Sequence, residues 1–235
     1  MPDTDRRSLL SLTVGGVAVS AGLLLTGCHR GEKGEEGEVT ANEDLMREHG
    51  VLRRILILYR EIAPRIEANP ASIDAAALGR AAALFRRFGE RYHEQLLEEQ
   101  HIFPQVRKRS AEQGRLVDTL LAQHARGRAI TDYVTDRTKG GRIATGDATP
   151  LARALVAFSR MYEAHAARED TIIFPAFKAA LGEHDYKELG EQFEDIEHRE
   201  FGGDGFDIAL AEVGRIEAAF GLTDLTGFTA PPPAG

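Results

Sequence analysis

Tryptophan is absent from this 235-residue chain, and cysteine occurs only once, at position 28. A single thiol excludes a disulfide within the chain. Positive charge is also scarce, because 29 Lys and Arg stand against 37 Asp and Glu, with the acids spread along the sequence. No basic face is expected, which argues against a nucleic-acid partner. With few β-branched runs and many Ala, Leu, Glu and Arg residues, the composition predicts an all-α protein.

The first 28 residues, MPDTDRRSLLSLTVGGVAVSAGLLLTGC, are typical of a targeting segment rather than of a fold element. Arg6 and Arg7 precede an apolar stretch that closes with the letters LTGC. The start resembles a twin-arginine signal and the ending resembles a lipobox. This implies a signal peptide over residues 1–27, export, and a lipid anchor on Cys28 at the periplasmic side of a bacterial membrane. An uncleaved N-terminal membrane anchor is the alternative.

Beyond a flexible, acidic linker over residues 28–40, apolar residues recur with the period of amphipathic helices. The first stripe comprises Leu45, His49, Leu52, Leu56, Tyr59, Ala63 and Ile66. Asn69-Pro70 ends this helix, a second runs from about 73 to 108, and a third covers roughly 112–138. Thr149-Pro150 predicts the start of a fourth helix, with Thr149 as its N-cap. The fourth stripe comprises Leu151, Leu155, Phe158, Tyr162, His165, Glu169 and Ile172.

Four long amphipathic helices with short connections predict an up-down-up-down four-helix bundle, which we place over residues 41–181. Two shorter helices, near 184–200 and 206–220, predict a C-terminal helical extension that ends near residue 225. Residues 226–235 include APPPAG, which cannot form a core, and we expect a disordered tail there.

One stretch of the sequence occurs twice. Residues 92–104 read YHEQLLEEQHIFP and residues 162–175 read YEAHAAREDTIIFP. Each has a tyrosine, a histidine, an acidic pair and an Ile-Phe-Pro ending. The acidic pairs and the Phe-Pro pairs are offset by 71 residues, whereas His93 and His165 are offset by 72. The second copy therefore has one residue fewer between its histidine and its acidic pair.

Each long helix has one histidine toward its apolar side, namely His49, His93, His124 and His165. Glu169 lies one turn beyond His165 and shares its face. A buried imidazole needs a hydrogen-bond partner or a metal, and a core carboxylate needs a cation, yet no Lys or Arg lies on the predicted stripes. Four histidines and at least two carboxylates exceed the needs of one zinc ion. The set predicts two iron ions with bridging carboxylates, and zinc or a mixed pair is the alternative.

The order of these residues resembles the hemerythrin (HHE cation-binding) family. The resemblance is carried, within residues 41–180, by REHGVLRRIL, YHEQLLEEQHIFP, LAQHARGR and HAAREDTIIFP. It implies that His49, His93, His124, His165 and Glu169 are metal ligands, with Glu98 or Glu94 as the other carboxylate. It further implies a site that binds oxygen or a related small oxidant, such as peroxide or nitric oxide, rather than an enzyme. A di-iron enzyme that reduces peroxide, or a plain iron or zinc protein, is the alternative.

The chain departs from the oxygen-carrying hemerythrins at one position. They have a second histidine one turn after that of the third helix, where this chain has Arg128. The departure bears on reversible oxygen carriage more than on metal binding. His198 is an alternative ligand that would have to fold back from a face expected to be exposed. Tyr162, one turn before His165, is expected to form a hydrogen bond close to the ligands. A ferritin-like site would need a glutamate at that tyrosine's position.

The spacing on the second helix leaves one assignment open. In a regular α-helix, residues five apart, such as His93 and Glu98, diverge by about 140°, whereas residues four apart diverge by about 40°. Either a π-bulge between Tyr92 and Glu99 turns both side chains inward, or Glu94 replaces Glu98 as the carboxylate ligand. We favour the bulge because it also explains the offsets of 71 and 72 residues.

Overall fold

The computed structural model describes residues 39–233, and every regular element in this range is a helix. The predicted all-α fold is confirmed. Bundle helix 1 is α1 (Ala41–Ala68), and bundle helix 2 joins α2 (Ala75–Leu84), a π-helix (Phe85–Ile102) and α3 (Phe103–Arg107). Bundle helix 3 is α4 (Ala111–Thr138), and bundle helix 4 joins α5 (Ala148–Arg168), a second π-helix (Glu169–Ile173) and α6 (Phe174–Lys178). The extension consists of α7 (Glu183–Phe201) and α8 (Gly205–Phe220).

Short connections make each bundle helix antiparallel to the one before it. Bundle helices 1 and 4 pack against each other along their lengths, as do bundle helices 3 and 4 and bundle helices 2 and 3. No helix among residues 39–233 has both the length and the apolarity needed to span a bilayer. Residues 1–38 lie outside the described residues, and so do the predicted signal peptide and the predicted lipidation at Cys28.

Side-chain caps fix the starts of the first three bundle helices. Thr40 and Glu43 form a reciprocal capping box at the start of α1. Asp74 accepts the backbone N–H of Ala77, so the second helix begins at Ala75 instead of near residue 73. Ser110 caps α4 in the same way through the N–H of Gln113. These residues satisfy N–H groups that the first turn of a helix leaves without a partner.

The predicted start of the fourth bundle helix was wrong by two residues. A short 3-10 helix, Thr145–Asp147, leads directly into α5, which begins at Ala148 with Asp147 as its N-cap. Thr149 therefore lies inside the helix and caps nothing. Pro150 is still tolerated because the N–H groups of the first helical turn have no partner within the helix.

The extension packs on the outside of the bundle, where α8 contacts α1 and α2 while α7 contacts α1 and the first π-helix. Both helices end at a glycine with positive φ, Gly202 at 77° and Gly221 at 70°, a conformation that other residues rarely adopt. A short, exposed 3-10 helix, Leu225–Phe228, follows. The division of the chain into bundle, extension and tail stays a prediction.

Aromatic rings fill the core on one side of the predicted site. Phe85, Phe158 and Tyr162 contact one another, with ring centroids 4.7–4.9 Å apart. Tyr59 adds an edge contact to Phe158. Such pairs contribute about 0.5–1.5 kcal/mol each beyond simple burial. The far edge of this cluster is Tyr162, whose ring lies 5.3 Å from that of His165.

Candidate metal centre

The four predicted histidines meet in the core as two pairs. Nε2 of His49 lies 3.0 Å from Nε2 of His93, and Nε2 of His124 lies 3.1 Å from Nε2 of His165. We name these the first pair and the second pair. All four side chains are buried, with exposures of 3% or less. Each bundle helix thus contributes one imidazole nitrogen to a common centre.

Two carboxylates link the pairs. One oxygen of Glu98 lies 3.4 Å from Nε2 of His93, and its other oxygen lies 3.4 Å from Nε2 of His124. Glu169 is arranged likewise. One of its oxygens lies 3.5 Å from Nε2 of His49 in the first pair, and the other lies 2.9 Å from Nε2 of His165 in the second pair. Both side chains have no exposed surface. Each carboxylate therefore presents one oxygen to each pair, as a bridging ligand would.

The π-helix of bundle helix 2 brings His93 and Glu98 to the same face. The backbone N–H of Phe103 donates to the carbonyl of Glu98, five residues back. This wider turn accommodates one extra residue, so side chains five apart both point inward. The predicted bulge is confirmed, but it is much longer than one turn, since it extends over Phe85–Ile102.

A second π-helix, which was not predicted from the sequence, carries the other carboxylate. It covers Glu169–Ile173, and the N–H of Phe174 donates to the carbonyl of Glu169. Both π-helices thus end at the Phe-Pro pair of the repeated motif. The two phenylalanines stack on imidazole rings, Phe174 on His49 at 5.4 Å and Phe103 on His124 at 5.6 Å. The repeated Ile-Phe-Pro is therefore part of the site.

Each of the four Nδ1 atoms faces a side-chain oxygen on another bundle helix. In chain order of the histidines, these partners are Asp170 at 2.7 Å, Glu48, Glu99 at 2.9 Å and Gln123 at 2.9 Å. The partners run helix to helix around the bundle and close a ring. None of the four partners was predicted from the sequence, although each is the immediate neighbour of a predicted ligand.

The Nδ1 contacts fix the tautomer of every ring. An oxygen acceptor requires N–H on Nδ1, which leaves the lone pair of each neutral imidazole on Nε2. Four Nε2 lone pairs and four carboxylate oxygens then point at one volume. The oxygens of Glu98 and Glu169 accept no hydrogen bond from any described residue. Eight acceptors would repel one another unless metal ions, or protons on the imidazole rings, supply positive charge between them.

The distances fit metal ions. Ligand atoms bound to one ion at about 2.1 Å, with about 90–110° between the bonds, lie roughly 3.0–3.4 Å apart. The contacts between nitrogens are 3.0 and 3.1 Å, and those between nitrogen and oxygen are 2.9–3.5 Å. The chemistry of the donor set agrees, because imidazole and carboxylate together suit iron and zinc.

Tyr162 and Arg128 hold Glu94 beside the centre rather than in it. The hydroxyl of Tyr162 donates to one oxygen of Glu94 at 2.7 Å, and Arg128 donates to the other at 3.2 Å. Arg128 also donates to Glu99 at 2.9 Å. The arginine at the position of the missing fifth histidine is thus bound to carboxylates. Gly127 makes room for this arrangement, since a Cβ there would lie 1.9 Å from the Tyr162 hydroxyl.

His198 is not part of the cluster. It lies on the exposed side of α7, where its Nδ1 faces the carbonyl oxygen of Glu194 at 3.0 Å. The structure therefore brings together all six residues predicted as ligands, places Glu94 next to them, and leaves His198 at the surface.

The carboxylates dominate the electrostatics of the centre. Burial alone would lower the pKa of His124, but Glu94, Glu98 and Glu99 outweigh it and raise the pKa to about 10. Burial would likewise raise the pKa of Glu169, yet the adjoining histidines His165 and His49 hold it well below its ordinary value. In the absence of metal, protons therefore supply the positive charge that the carboxylates require.

The formal charges of the centre match two divalent cations. The six carboxylates at or next to the histidines are Glu48, Glu94, Glu98, Glu99, Glu169 and Asp170. Among the described residues in contact with them, the guanidinium groups are those of Arg53 and Arg128. With all six carboxylates ionised, four negative charges remain, which is the charge that two divalent ions balance.

A small cavity of about 20 Å³ adjoins the ligands. His49, His93, His165, Glu98 and Glu169 border it on one side. Its other walls include the apolar side chains of Leu52, Leu56, Phe85 and Ala166. Tyr162 and Glu94 also line it. A cavity of this size holds a water-sized or diatomic molecule.

Comparison with known proteins agrees with the geometry. Residues 40–177 match the sequence profile described as Hemerythrin HHE cation binding domain. Two uncharacterised proteins, Mb2018 of Mycobacterium bovis and Rv1995 of Mycobacterium tuberculosis, are each 44% identical to this chain over 199 residues, which is 83% of this chain and 76% of theirs. No solved structure matches the chain. The profile covers more than half of the sequence and includes all six converging side chains that were predicted as ligands, so the chain belongs to the hemerythrin HHE cation-binding domain family.

Proposed function

We propose that this protein is a hemerythrin-like, non-haem di-iron protein that binds oxygen or a related small oxidant, such as peroxide or nitric oxide. The observation that carries the proposal is the convergence of four Nε2 lone pairs and four carboxylate oxygens beside a small cavity. The first pair would hold one iron and the second pair the other, with Glu98 and Glu169 shared. Iron bound there would supply the reversible electron transfer that oxygen binding requires.

The protein's own residues prepare the site for a small ligand. The four Nδ1 contacts hold the rings with Nε2 facing inward, which pre-organises the ligand atoms. Leu52, Leu56, Phe85 and Ala166 form an apolar wall that limits the water next to the ligand. The cavity, with a volume of about 20 Å³, has room for a ligand the size of water or a diatomic molecule.

A peroxide-reducing enzyme is the second candidate, and one observation favours it. Tyr162 and Glu94 share a hydrogen bond in the cavity wall, so proton-bearing groups stand next to the position of a bound oxidant. Reduction of peroxide consumes protons as well as electrons, whereas reversible binding of oxygen as a carrier does not consume them. The enzyme would therefore need a proton donor in the cavity wall, whereas the oxygen carrier would not.

Spectroscopy of the purified, iron-loaded protein tests the proposal. We expect a visible absorption band on exposure to air that disappears under vacuum and returns with oxygen. Steady consumption of peroxide, with loss of turnover in Tyr162→Phe, would instead support the enzyme. A protein that takes up zinc and shows no response to oxygen, peroxide or nitric oxide would refute both candidates.

We further propose that the protein is exported and anchored to the periplasmic side of a bacterial membrane through a lipid on Cys28. The support is the twin arginine and the LTGC sequence of the first 28 residues. Mass spectrometry of the native protein is expected to show a chain that starts at a lipidated Cys28. An intact Met1 in the membrane fraction would contradict cleavage.

A further inference from the structure

The site has an internal two-fold repeat that is broken at one residue. Glu48 and Gln123 occupy equivalent positions, each immediately before the histidine of an odd-numbered bundle helix, His49 or His124. Each reaches the Nδ1 atom of the histidine on the next bundle helix, Glu48 to His93 and Gln123 to His165. One partner is a carboxylate and the other is a neutral amide.

The other two Nδ1 partners, Glu99 and Asp170, follow the two-fold repeat because both are carboxylates. Glu99 directly follows Glu98 in sequence and Asp170 directly follows Glu169, and each contacts the Nδ1 atom of a histidine, at 2.9 Å and 2.7 Å. Both of the first pair's histidines therefore have a carboxylate partner, whereas the second pair has one carboxylate and one amide. A carboxylate on Nδ1 makes the imidazole more basic and strengthens its bond to a metal, and changes in such partners alter metal affinity roughly 10–100-fold.

We propose that Gln123 makes the two metal positions unequal, so that the first pair binds its ion more tightly than the second pair does. This inference rests on the proposed di-iron function and adds an order of loading. The first ion fills the position of His49 and His93, and the second ion, at His124 and His165, is the more weakly held and exchangeable one.

The other charges near the two pairs do not remove this difference. Arg53 pairs with Asp170 beside the first pair, and Arg128 pairs with Glu99 and Glu94 beside the second. Each pair therefore has one guanidinium group. Glu94 is a further carboxylate beside the second pair, but it is hydrogen-bonded to Tyr162 and Arg128 and not to a histidine ring. The amide of Gln123 acts on His165 directly through a 2.9 Å contact, and no described carboxylate replaces it on that Nδ1 atom.

Anaerobic titration with Co²⁺, a redox-stable probe, tests the proposal on variants that retain one pair. His165→Ala keeps the first pair and His93→Ala keeps the second, so each reports a single-ion Kd without repulsion between two ions. We expect the first pair to bind Co²⁺ at least about ten-fold more tightly. Gln123→Glu in the His93→Ala background should tighten the second pair by a similar factor, whereas Gln192→Glu, on the exposed face of α7, should not change it.

Isosteric variants of the otherwise unchanged chain provide a second measurement, independent of the alanine substitutions. In the wild-type protein the two stepwise Co²⁺ affinities should differ. Gln123→Glu should reduce this difference by tightening the second pair, and Glu48→Gln should reduce it by weakening the first pair. Equal single-ion affinities, or a gap that neither variant changes, would overturn the inference while the protein still binds two ions. A wild-type chain that binds no Co²⁺ would overturn the proposed function itself.

Discussion

Gly127→Ala should destabilise the protein because the added methyl group collides with a side chain that has nowhere to move. Its carbon would lie 1.9 Å from the hydroxyl oxygen of Tyr162 and 2.7 Å from Cζ, whereas ordinary contact begins at 3.4 Å. Phe85, Phe158 and His165 surround the ring. Overpacking of this kind costs about 1–3 kcal/mol.

Displacing the ring also breaks its bond to Glu94, and a lost hydrogen bond to a buried charged group costs about 1.5–3 kcal/mol. The higher helix propensity of alanine offsets about 1 kcal/mol. We therefore expect a net loss of about 1.5–5 kcal/mol in the free energy of unfolding, measured by urea denaturation of the metal-free protein. Gly50→Ala is the matched control, since Gly50 is exposed on α1 and a Cβ added there would meet no atom within 4 Å. This variant should gain about 0.5–1 kcal/mol in the free energy of unfolding. Equal stabilities of the two variants would refute the reasoning.

Three further predictions concern the buried carboxylates and histidines. Glu98→Gln should lower the bound metal to one ion per chain or less because an amide has a single oxygen, whereas Glu94→Gln should keep two ions per chain. Metal analysis after gel filtration measures this. Equal metal contents in the two variants would remove Glu98 from the ligand set. Burial raises the pKa of Glu90 to about 7, so Glu90→Gln should raise the unfolding free energy by about 1–3 kcal/mol at pH 8 and hardly at pH 5; a gain at both would contradict this cause. The pKa of His124 is raised from 6.5 to about 10, so its contribution to the stability of the metal-free protein is complete below about pH 6.5 and lost as the pH rises toward 10; melting temperatures that rise over this range would exclude it.

The helices, and the burial of the histidines predicted as ligands, were predictable because both depend on periodicity within one helix. His49 and His165 fall on apolar stripes, where an imidazole needs a partner, and the structure places both in the core. The offset between the two copies of the repeated motif predicted the π-helix around His93 and Glu98. A one-residue insertion is visible in a sequence that repeats itself.

The second π-helix was not predictable in the same way. His165 and Glu169 are four residues apart, which a regular α-helix already accommodates, so no irregularity was visible in the spacing. The wider turn begins at Glu169 and ends just before Phe174 and Pro175. Pro175 has no N–H, so the regular α-helical hydrogen-bond pattern is interrupted there. The same reason applies to Pro104 in bundle helix 2.

The Nδ1 partners were missed because they bind across helices. Glu99 follows Glu98 in sequence, yet its carboxylate reaches His124 on bundle helix 3. Only the packing of the bundle shows which acid reaches which histidine. Neighbours of ligands are therefore candidates for this role, but their pairing, and the exception at Gln123, depend on the three-dimensional arrangement.

Anomalous X-ray scattering at the iron edge, from crystals of the iron-loaded protein, shows directly whether the two histidine pairs hold two iron ions. We expect two peaks per chain about 3.5–4 Å apart, one next to His49 and His93 and the other next to His124 and His165. Glu98 and Glu169 should lie between the two peaks. A single peak, or iron bound away from these six side chains, would contradict the proposed di-iron site.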